Sequence, residues 1–399
     1  MVQSAMTASW LQINPRRHAA APYGPPQRDV VAVAGLEEVR AALACCPAHK
    51  PTPLYRLPAL ARRLGLGAVQ VKDESQRFGF GAFKALGGVF AVARVLRHTT
   101  DASGYEALAG RTHPDFTFAT ASSGNHGRAV AAGAKIFGAR SVIFLPSFTS
   151  AEKEAAIRAR GAEIVRVDGD YEAAVARCRE MAQARGWTII SDTSWPGYET
   201  IPKSVMQGYT VLADEALGQA GETPTHVLVQ AGVGGLAAAV LGFLWERLGE
   251  RRPLSIVVEP QSADCWFQSN RLGQPALASG DATTSMGGLA CREISPLTWP
   301  ILGLGADWFM TIEEDDVPPA MRALARPEGD DPTVVAGPSG CSGMAALLRL
   351  CANGDARRAL GLDATSRVLL INSEGAFGEP ALFERATGLS VAAATARMR

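Results

Sequence analysis

The chain carries no surplus of charge. Among its 399 residues, lysine plus arginine number 39 and aspartate plus glutamate number 39, for a formal net charge of zero. That balance argues against a broad field for nucleic acid or an anionic membrane surface, whereas a small zwitterionic ligand needs no such field. No apolar run is long enough to cross a bilayer. There is no Cys-x-x-Cys and no His-Glu-x-x-His, and the seven cysteines are odd in number, with Cys45 and Cys46 adjacent. Such spacing suits neither a disulfide framework nor a zinc centre, so reduced thiols and no metal site are expected. The start, "MVQSAMTASWLQINPRRH", lacks a basic stretch followed by an apolar core. No signal peptide is expected, and the protein reads as cytoplasmic and soluble. Internal repeats and low-complexity tracts are also missing.

What is present is a large apolar fraction, 47% of the residues, which suits a globular protein of two or three domains. Residues 1 to about 50 read as an irregular lead-in with one short helix at "LEEVRAALACC". "AVQVKDE" alternates like a strand, and "AFKALGGVFAVARVLRH" has helical apolar spacing. The stretches "DFTFATA", "SVIFLP", "EIVRVDG" and "WTIISDT" then alternate with three helical segments, which predicts a parallel sheet from about 95 to 205. A second alternation follows, with "THVLVQA", "LSIVVEP", "ADWFMTI" and "RVLLINS" as strands. The expected organisation is a larger domain from 1–94 and 206–399, with a smaller one inserted at 95–205.

Four glycine-containing turns stand where strands give way to helices or loops: "GFGAFK", "SSGNHG", "AGVGGLA" and "NSEG". In α/β sheets such strand ends are where ligands bind. Gly232, Val233, Gly234, Gly235 and Leu236 have the form of a phosphate cradle, with backbone N–H groups bared by glycine and the positive end of a helix behind them. The same letters satisfy a dinucleotide fingerprint, with Glu259 placed as a ribose-binding acid, so a nicotinamide oxidoreductase remains an alternative. Lys84 weighs against it. An amine set among glycine, alanine and phenylalanine in the first turn of a helix suits Schiff-base chemistry with pyridoxal phosphate, because an apolar setting disfavours the charged form. A lysine with its stem on the surface is the plainer reading of that residue taken alone. "ATASSGNHG" offers hydroxyls, an amide and N–H groups to a carboxylate, from Ser122, Ser123, Gly124, Asn125 and His126, although a simple capping turn would look the same. His126 reads as a satisfied structural histidine, and Ser373 ends a strand where its hydroxyl could meet a ring nitrogen.

Taken together, these stretches resemble the fold-type II pyridoxal phosphate enzymes, and within them the diaminopropionate ammonia-lyases. "DTSWPGYETIP" and "GGLACREISPL" carry the narrower resemblance. It implies a tryptophan synthase β-like α/β fold, two three-layer domains with mainly parallel sheets, a homodimer, and a small amino-acid substrate. It also implies site roles. Lys84, with Phe83 beside it, would carry pyridoxal 5'-phosphate and act as base. Asn125 would hold the cofactor's phenolic oxygen and Gly232 to Leu236 its phosphate. Ser373 would face the pyridine nitrogen, leaving it largely unprotonated. Asp192 would sit near the substrate amine. The implied reaction is elimination of ammonia from 2,3-diaminopropionate to give pyruvate and ammonia. Serine or threonine dehydration, racemisation and β-replacement are the alternatives on the same fold.

Two departures from the family pattern bear on this. Ser123 stands where these lyases usually have aspartate, the group implied as base on the face opposite the lysine, and it matches serine racemases instead. Gly81 replaces an asparagine, and "SEGAFGEP" replaces a more acidic tail.

Overall fold

A computed structural model of the chain describes residues 8–17 and 22–398. Parts of the expected irregular lead-in, residues 1–7 and 18–21, lie outside the described residues. The described strands, in chain order, are β1 (Leu11–Ile13), β2 (Leu54–Arg56), β3 (Ala68–Asp73), β4 (His113–Ala121), β5 (Ala139–Pro146), β6 (Glu163–Val167), β7 (Thr188–Ile189), β8 (His226–Gln230), β9 (Leu254–Pro260), β10 (Trp308–Ile312) and β11 (Arg367–Asn372).

The chain folds as two units. The described residues of Met1–Ala32, with Thr52–Gln76 and the described residues of Leu212–Arg399, form one unit; Val33–Pro51 and Arg77–Val211 form the other. The first is built on a seven-stranded sheet ordered β1-β10-β9-β8-β11-β3-β2. Its five central strands run parallel, and the two edge strands β1 and β2 pair antiparallel. The second carries a four-stranded sheet ordered β6-β5-β4-β7, parallel throughout. The α/β architecture with mainly parallel sheets is the one expected.

The sequence dictates this parallel pattern directly. β8 is buried at every position, and β11 at all but its first, so neither shows polar alternation. Strands covered on both faces read as continuous apolar runs. β1 and β2 escape such a reading because three residues are too few for a period to register. "WTIISDT" gives a strand of only two residues before the chain turns aside.

Lys84 opens the helix Lys84–Thr99, which belongs to the unit of the four-stranded sheet. The reason is a glycine-lined helix crossing. A Cβ on Gly88 would stand 2.8 Å from Ala129 Cβ, and one on Gly133 would stand 3.1 Å from Gly88 O. Glycine there lets the Lys84 helix and the helix Asn125–Ile136 approach at backbone distance. Gly87 and Gly208 do the same against the helix Thr200–Gln219, where a Cβ on Gly208 would meet Gly87 Cα at 2.8 Å.

Candidate active site

In the unit of the four-stranded sheet, the loop before Lys84 is set by left-handed backbone at Phe78, Gly79 and Gly81, with φ of 52°, 68° and 86°. The Arg160 guanidinium lies 4.4 Å from the centroid of the Phe80 ring and donates to Gly79 O at 3.1 Å. The loop thereby delivers Lys84 into the first helical turn. Its ammonium Nζ donates to Asp192 Oδ2 at 2.5 Å. The two side chains are 20% and 24% exposed, so the pair is largely withdrawn from water. Burial alone would raise the Asp192 pKa. The Lys84 charge, the neighbouring His126 and the hydrogen bond from Lys84 outweigh it, and the carboxyl is held well below the usual carboxylate range.

A sequence separation of 108 residues joins Lys84 and Asp192, and the motif around Asp192 explains how. In "SDTSWPGYE", Trp195 and Tyr198 stack with centroids 4.0 Å apart and planes 9° apart, around Gly197 at φ 83°. The Tyr198 hydroxyl donates to Ile189 O at 2.7 Å and accepts from Ser191 N at 3.0 Å. The Arg179 guanidinium caps the Trp195 ring at 4.1 Å. This tight turn fixes the backbone on which Asp192 sits.

His126 is bound to the same segment. Its Nε2 lies 2.9 Å from Ile190 O, and a carbonyl only accepts, so Nε2 carries the proton. Its Nδ1 is buried without a hydrogen-bond partner and lies 3.9 Å from Asp192 Oδ2. The expected satisfied structural histidine is satisfied at Nε2, whereas Nδ1 has no hydrogen-bond partner. Tyr209, 2% exposed, packs edge-on to Phe83 with centroids 4.7 Å apart, and its hydroxyl also has no hydrogen-bond partner. Burial raises its pKa, so it is a neutral hydroxyl. Ser122, Ser123 and Asn125 are partly exposed and Gly124 is exposed, at the N-terminus of the helix carrying His126. Gly124 N bonds Ser122 Oγ at 3.3 Å, while the Asn125 side chain is engaged by Arg128.

In the unit of the seven-stranded sheet, Gly232 to Leu236 follow β8 and open the helix Gly235–Leu248. Gly234 has φ 102°, and a Cβ there would come within 2.6 Å of the Trp266 ring. A Cβ on Gly232 would meet Cys291 Sγ at 3.0 Å and Gly288 O at 3.1 Å. The first i to i−4 bond of the helix comes from Ala238 N to Gly234 O, 2.8 Å, so the N–H groups of 235–237 lack carbonyls of their own helix. The other specific motif, "GGLACREISPL", braces this loop. Ser295 N and Thr298 Oγ1 both donate to Val233 O, at 2.9 and 3.2 Å. Gly288 N is tied to Ser339 Oγ at 3.0 Å. Ser373 lies just past β11, and Gln230 Nε2, at the end of β8, donates to its Oγ at 2.8 Å.

Glu259 has a different task from the one a dinucleotide fold would give it. It is 1% exposed, and its carboxylate accepts from Trp266 N and Phe267 N at 2.9 and 2.8 Å, with Cys265 Sγ at 3.4 Å. It is consumed in starting the helix Cys265–Leu272, and no ribose could reach it. The nicotinamide alternative is thereby corrected. Tyr209, Gln230 and the unsatisfied side of His126 escaped the sequence reading. The glycines at 87 and 208 were the available signal for Tyr209, since they mark where its helix comes close to that of Lys84. Nothing in the sequence marked Gln230 beyond its place before the loop.

In the unit of the seven-stranded sheet, a bared glycine cradle at a helix N-terminus and a buried hydroxyl held by an amide suit the anionic group and ring of pyridoxal phosphate; in the other unit, a shielded lysine in a first helical turn suits its aldehyde. Residues 46–374 match the family of pyridoxal-phosphate dependent enzymes, and the chain belongs to it. The relatives narrow the likeness. The chain is 41% identical to the diaminopropionate ammonia-lyase of Salmonella typhimurium over 347 residues, 82% of this chain and 86% of that protein. It is 40% identical to the Escherichia coli K12 enzyme of the same name over 337 residues, 82% and 85% of the two chains. Among solved structures, holo diaminopropionate ammonia lyase from Escherichia coli superposes with a TM-score of 0.86 at 34% identity, covering 94% of this chain and 95% of that one. The same enzyme in complex with an aminoacrylate-PLP azomethine reaction intermediate gives a TM-score of 0.84 at 35% identity, over 94% and 96%.

Proposed function

We propose that this protein eliminates ammonia from 2,3-diaminopropionate, releasing aminoacrylate that hydrolyses to pyruvate and a second ammonia. The observation that carries this reading is the Lys84–Asp192 pair at 2.5 Å, with Asp192 held by the turn in which Trp195 and Tyr198 stack. Pyridoxal phosphate, when bound, supplies an electron-withdrawing ring that accepts the negative charge developing at the substrate's α-carbon.

The chain's own residues do the rest. Lys84 Nζ would hold the cofactor and, once released, take the α-proton. Asp192 stays ionised beside it, which orients the lysine and offers a carboxylate to the β-amine of a diamino acid. Ser122 to His126 would offer the start of a helix to the substrate carboxylate, and Asn125, whose Oδ1 accepts from Arg128, would offer its amide N–H to the cofactor's phenolic oxygen. Gly232 to Leu236 would take the phosphate on their N–H groups. Ser373 Oγ accepts from Gln230 Nε2, so its own hydrogen is left to donate to an unprotonated ring nitrogen. A hydroxyl in place of a carboxylate at Ser373 would in this way favour elimination over transamination.

Ser123 marks the point of difference in stereochemistry. A serine hydroxyl is a far weaker base than a carboxylate, so the L-isomer, worked from the lysine face, is the expected substrate. A cytoplasmic homodimer completes the reading. Among the described residues no helix is long and apolar enough to cross a membrane. The test is a panel of D- and L-diaminopropionate, serine, threonine and O-acetylserine, with pyruvate and enantiomers quantified. Pyruvate from L-diaminopropionate well ahead of the rest supports the proposal. A preference for serine or threonine, or racemisation without pyruvate, overturns it in favour of the alternatives on this fold.

A further inference from the structure

Whenever Lys84 is free of the cofactor it must be a neutral amine before it can take a proton, and in the structure its charged form is paired with a shielded carboxylate. Releasing the proton to water would leave Asp192 without a cation in a site that is mostly withdrawn from solvent, which is unfavourable. One neighbouring group can prevent this. His126 Nδ1 is buried, has no hydrogen-bond partner and lies 3.9 Å from the same Oδ2 that accepts from Lys84. Its orientation is locked from the other side by Nε2 on Ile190 O at 2.9 Å, so Nδ1 holds its lone pair toward the carboxylate. A small rotation of the Asp192 side chain brings Nδ1 within hydrogen-bond reach.

We propose that His126 is the proton store of the site: it receives the Lys84 proton through Asp192, leaving Lys84 as a neutral amine. The step balances. One Nζ–H bond breaks and one Nδ1–H bond forms, with nothing oxidised or reduced. The trio begins as ammonium, carboxylate and neutral imidazole, and ends as amine, carboxylate and imidazolium. Its net charge is unchanged, so neither state leaves a lone buried ion.

The groups facing His126 are few. The helix Lys84–Thr99 contributes Lys84 and the segment after Ile190 contributes Asp192. On its own helix, Arg128 is turned to Asn125. Tyr209, from the helix Thr200–Gln219, adds a neutral hydroxyl to the Lys84–Asp192 environment. Burial holds the imidazole below its ordinary pKa and the Lys84 charge adds to this, while Asp192 and the bond to Ile190 O oppose. The histidine is therefore neutral while Lys84 is charged, which is the starting state the relay requires. His126 acts through Asp192 and Lys84 and is a positioning residue.

This inference rests on Lys84 acting as a base, as proposed above, but its first test does not need turnover. Nitrogen NMR of histidine-labelled, full-length protein freed of cofactor should show His126 singly protonated on Nε2 at pH 7. In Lys84→Met the same ring should become doubly protonated, with at least a tenfold higher proton affinity. A ring that stays singly protonated in the variant overturns the proposal. The second test uses the loaded enzyme. His126→Asn should bind the cofactor with an unchanged absorption band, yet move the acidic limb of kcat/KM up by about one pH unit or more. Activity should be about tenfold low at pH 7, and the deficit should shrink steadily as pH rises. A loss that is equal at every pH marks a merely structural histidine and overturns the proposal. If His126→Asn does not fold, the Lys84→Met spectrum decides alone. If wild type makes no pyruvate from diaminopropionate, the proposed substrate falls while the NMR result still reads the relay.

Discussion

The two units carry their functional groups by opposite means. In the unit of the seven-stranded sheet the proposed cofactor-holding groups are the backbone N–H groups of Gly232 to Leu236 and the uncharged Ser373 hydroxyl, and the side chains that brace the loop are uncharged. Ser295, Thr298 and Trp266 confine the loop through neutral contacts. In the unit of the four-stranded sheet the proposed reacting groups are side chains, Lys84, Asp192 and His126, with Asp192 Oδ2 2.5 Å from Lys84 Nζ and 3.9 Å from His126 Nδ1. A cradle of neutral groups has no protonation state of its own to lose. The proposed trio would move protons and be sensitive to any change in charge. On this proposal holding and reacting fall to different units, and they should separate in experiment.

The comparison breaks most sharply at Lys84. Lys84→Ala should lower turnover by at least about a thousandfold, while the glycine cradle still binds the phosphorylated cofactor non-covalently. Equilibrium dialysis alongside activity checks both halves. Asp192→Asn should follow, with about a hundredfold loss in kcat and cofactor binding little altered, because it removes charge from the reacting side only. Gly234→Ala should do the reverse. Its φ of 102° and the Trp266 ring 2.6 Å from a new Cβ predict roughly 1–3 kcal/mol of destabilisation and weakened cofactor binding, read by melting temperature and titration. Whatever fraction retains cofactor should turn over at close to the normal rate.

The smallest expected effect is a pH slope. Burial, only partly offset by the N–H groups of Trp266 and Phe267, pushes Glu259 up to about 8. A carboxyl whose pKa is raised on folding contributes stability that is present below its unfolded value and is lost as pH rises through the folded one. Tm should therefore decline between about pH 4.5 and 8, and Glu259→Gln should flatten that decline. Asp192 works in the opposite direction. Its depressed pKa gives stability above the ordinary carboxylate range that is lost only in strong acid.

The same contrast explains what could be read from the residues alone. The cradle was legible because its parts are contiguous: glycine at 232, 234 and 235, a buried strand before and a helix after. Lys84 was legible for its odd setting. Resemblance to a family implied only that Asp192 would sit near the substrate amine, and its pairing with Lys84 was not anticipated, since no local pattern links positions so far apart. The role of Trp195 and Tyr198 in holding Asp192 appears only when their rings are seen stacked. Gln230 beneath Ser373 belongs to the same class, because the two meet across neighbouring parallel strands. β1 and β2 escaped for a different reason, being edge strands too short to show a period.

The most direct measurement is reduction of the purified enzyme with borohydride, followed by peptide mapping of the labelled lysine. A single pyridoxyl group on Lys84, with the absorption of the bound cofactor bleached in step, is the predicted result. Label on any other residue, or none at all, would contradict the assignment of that amine.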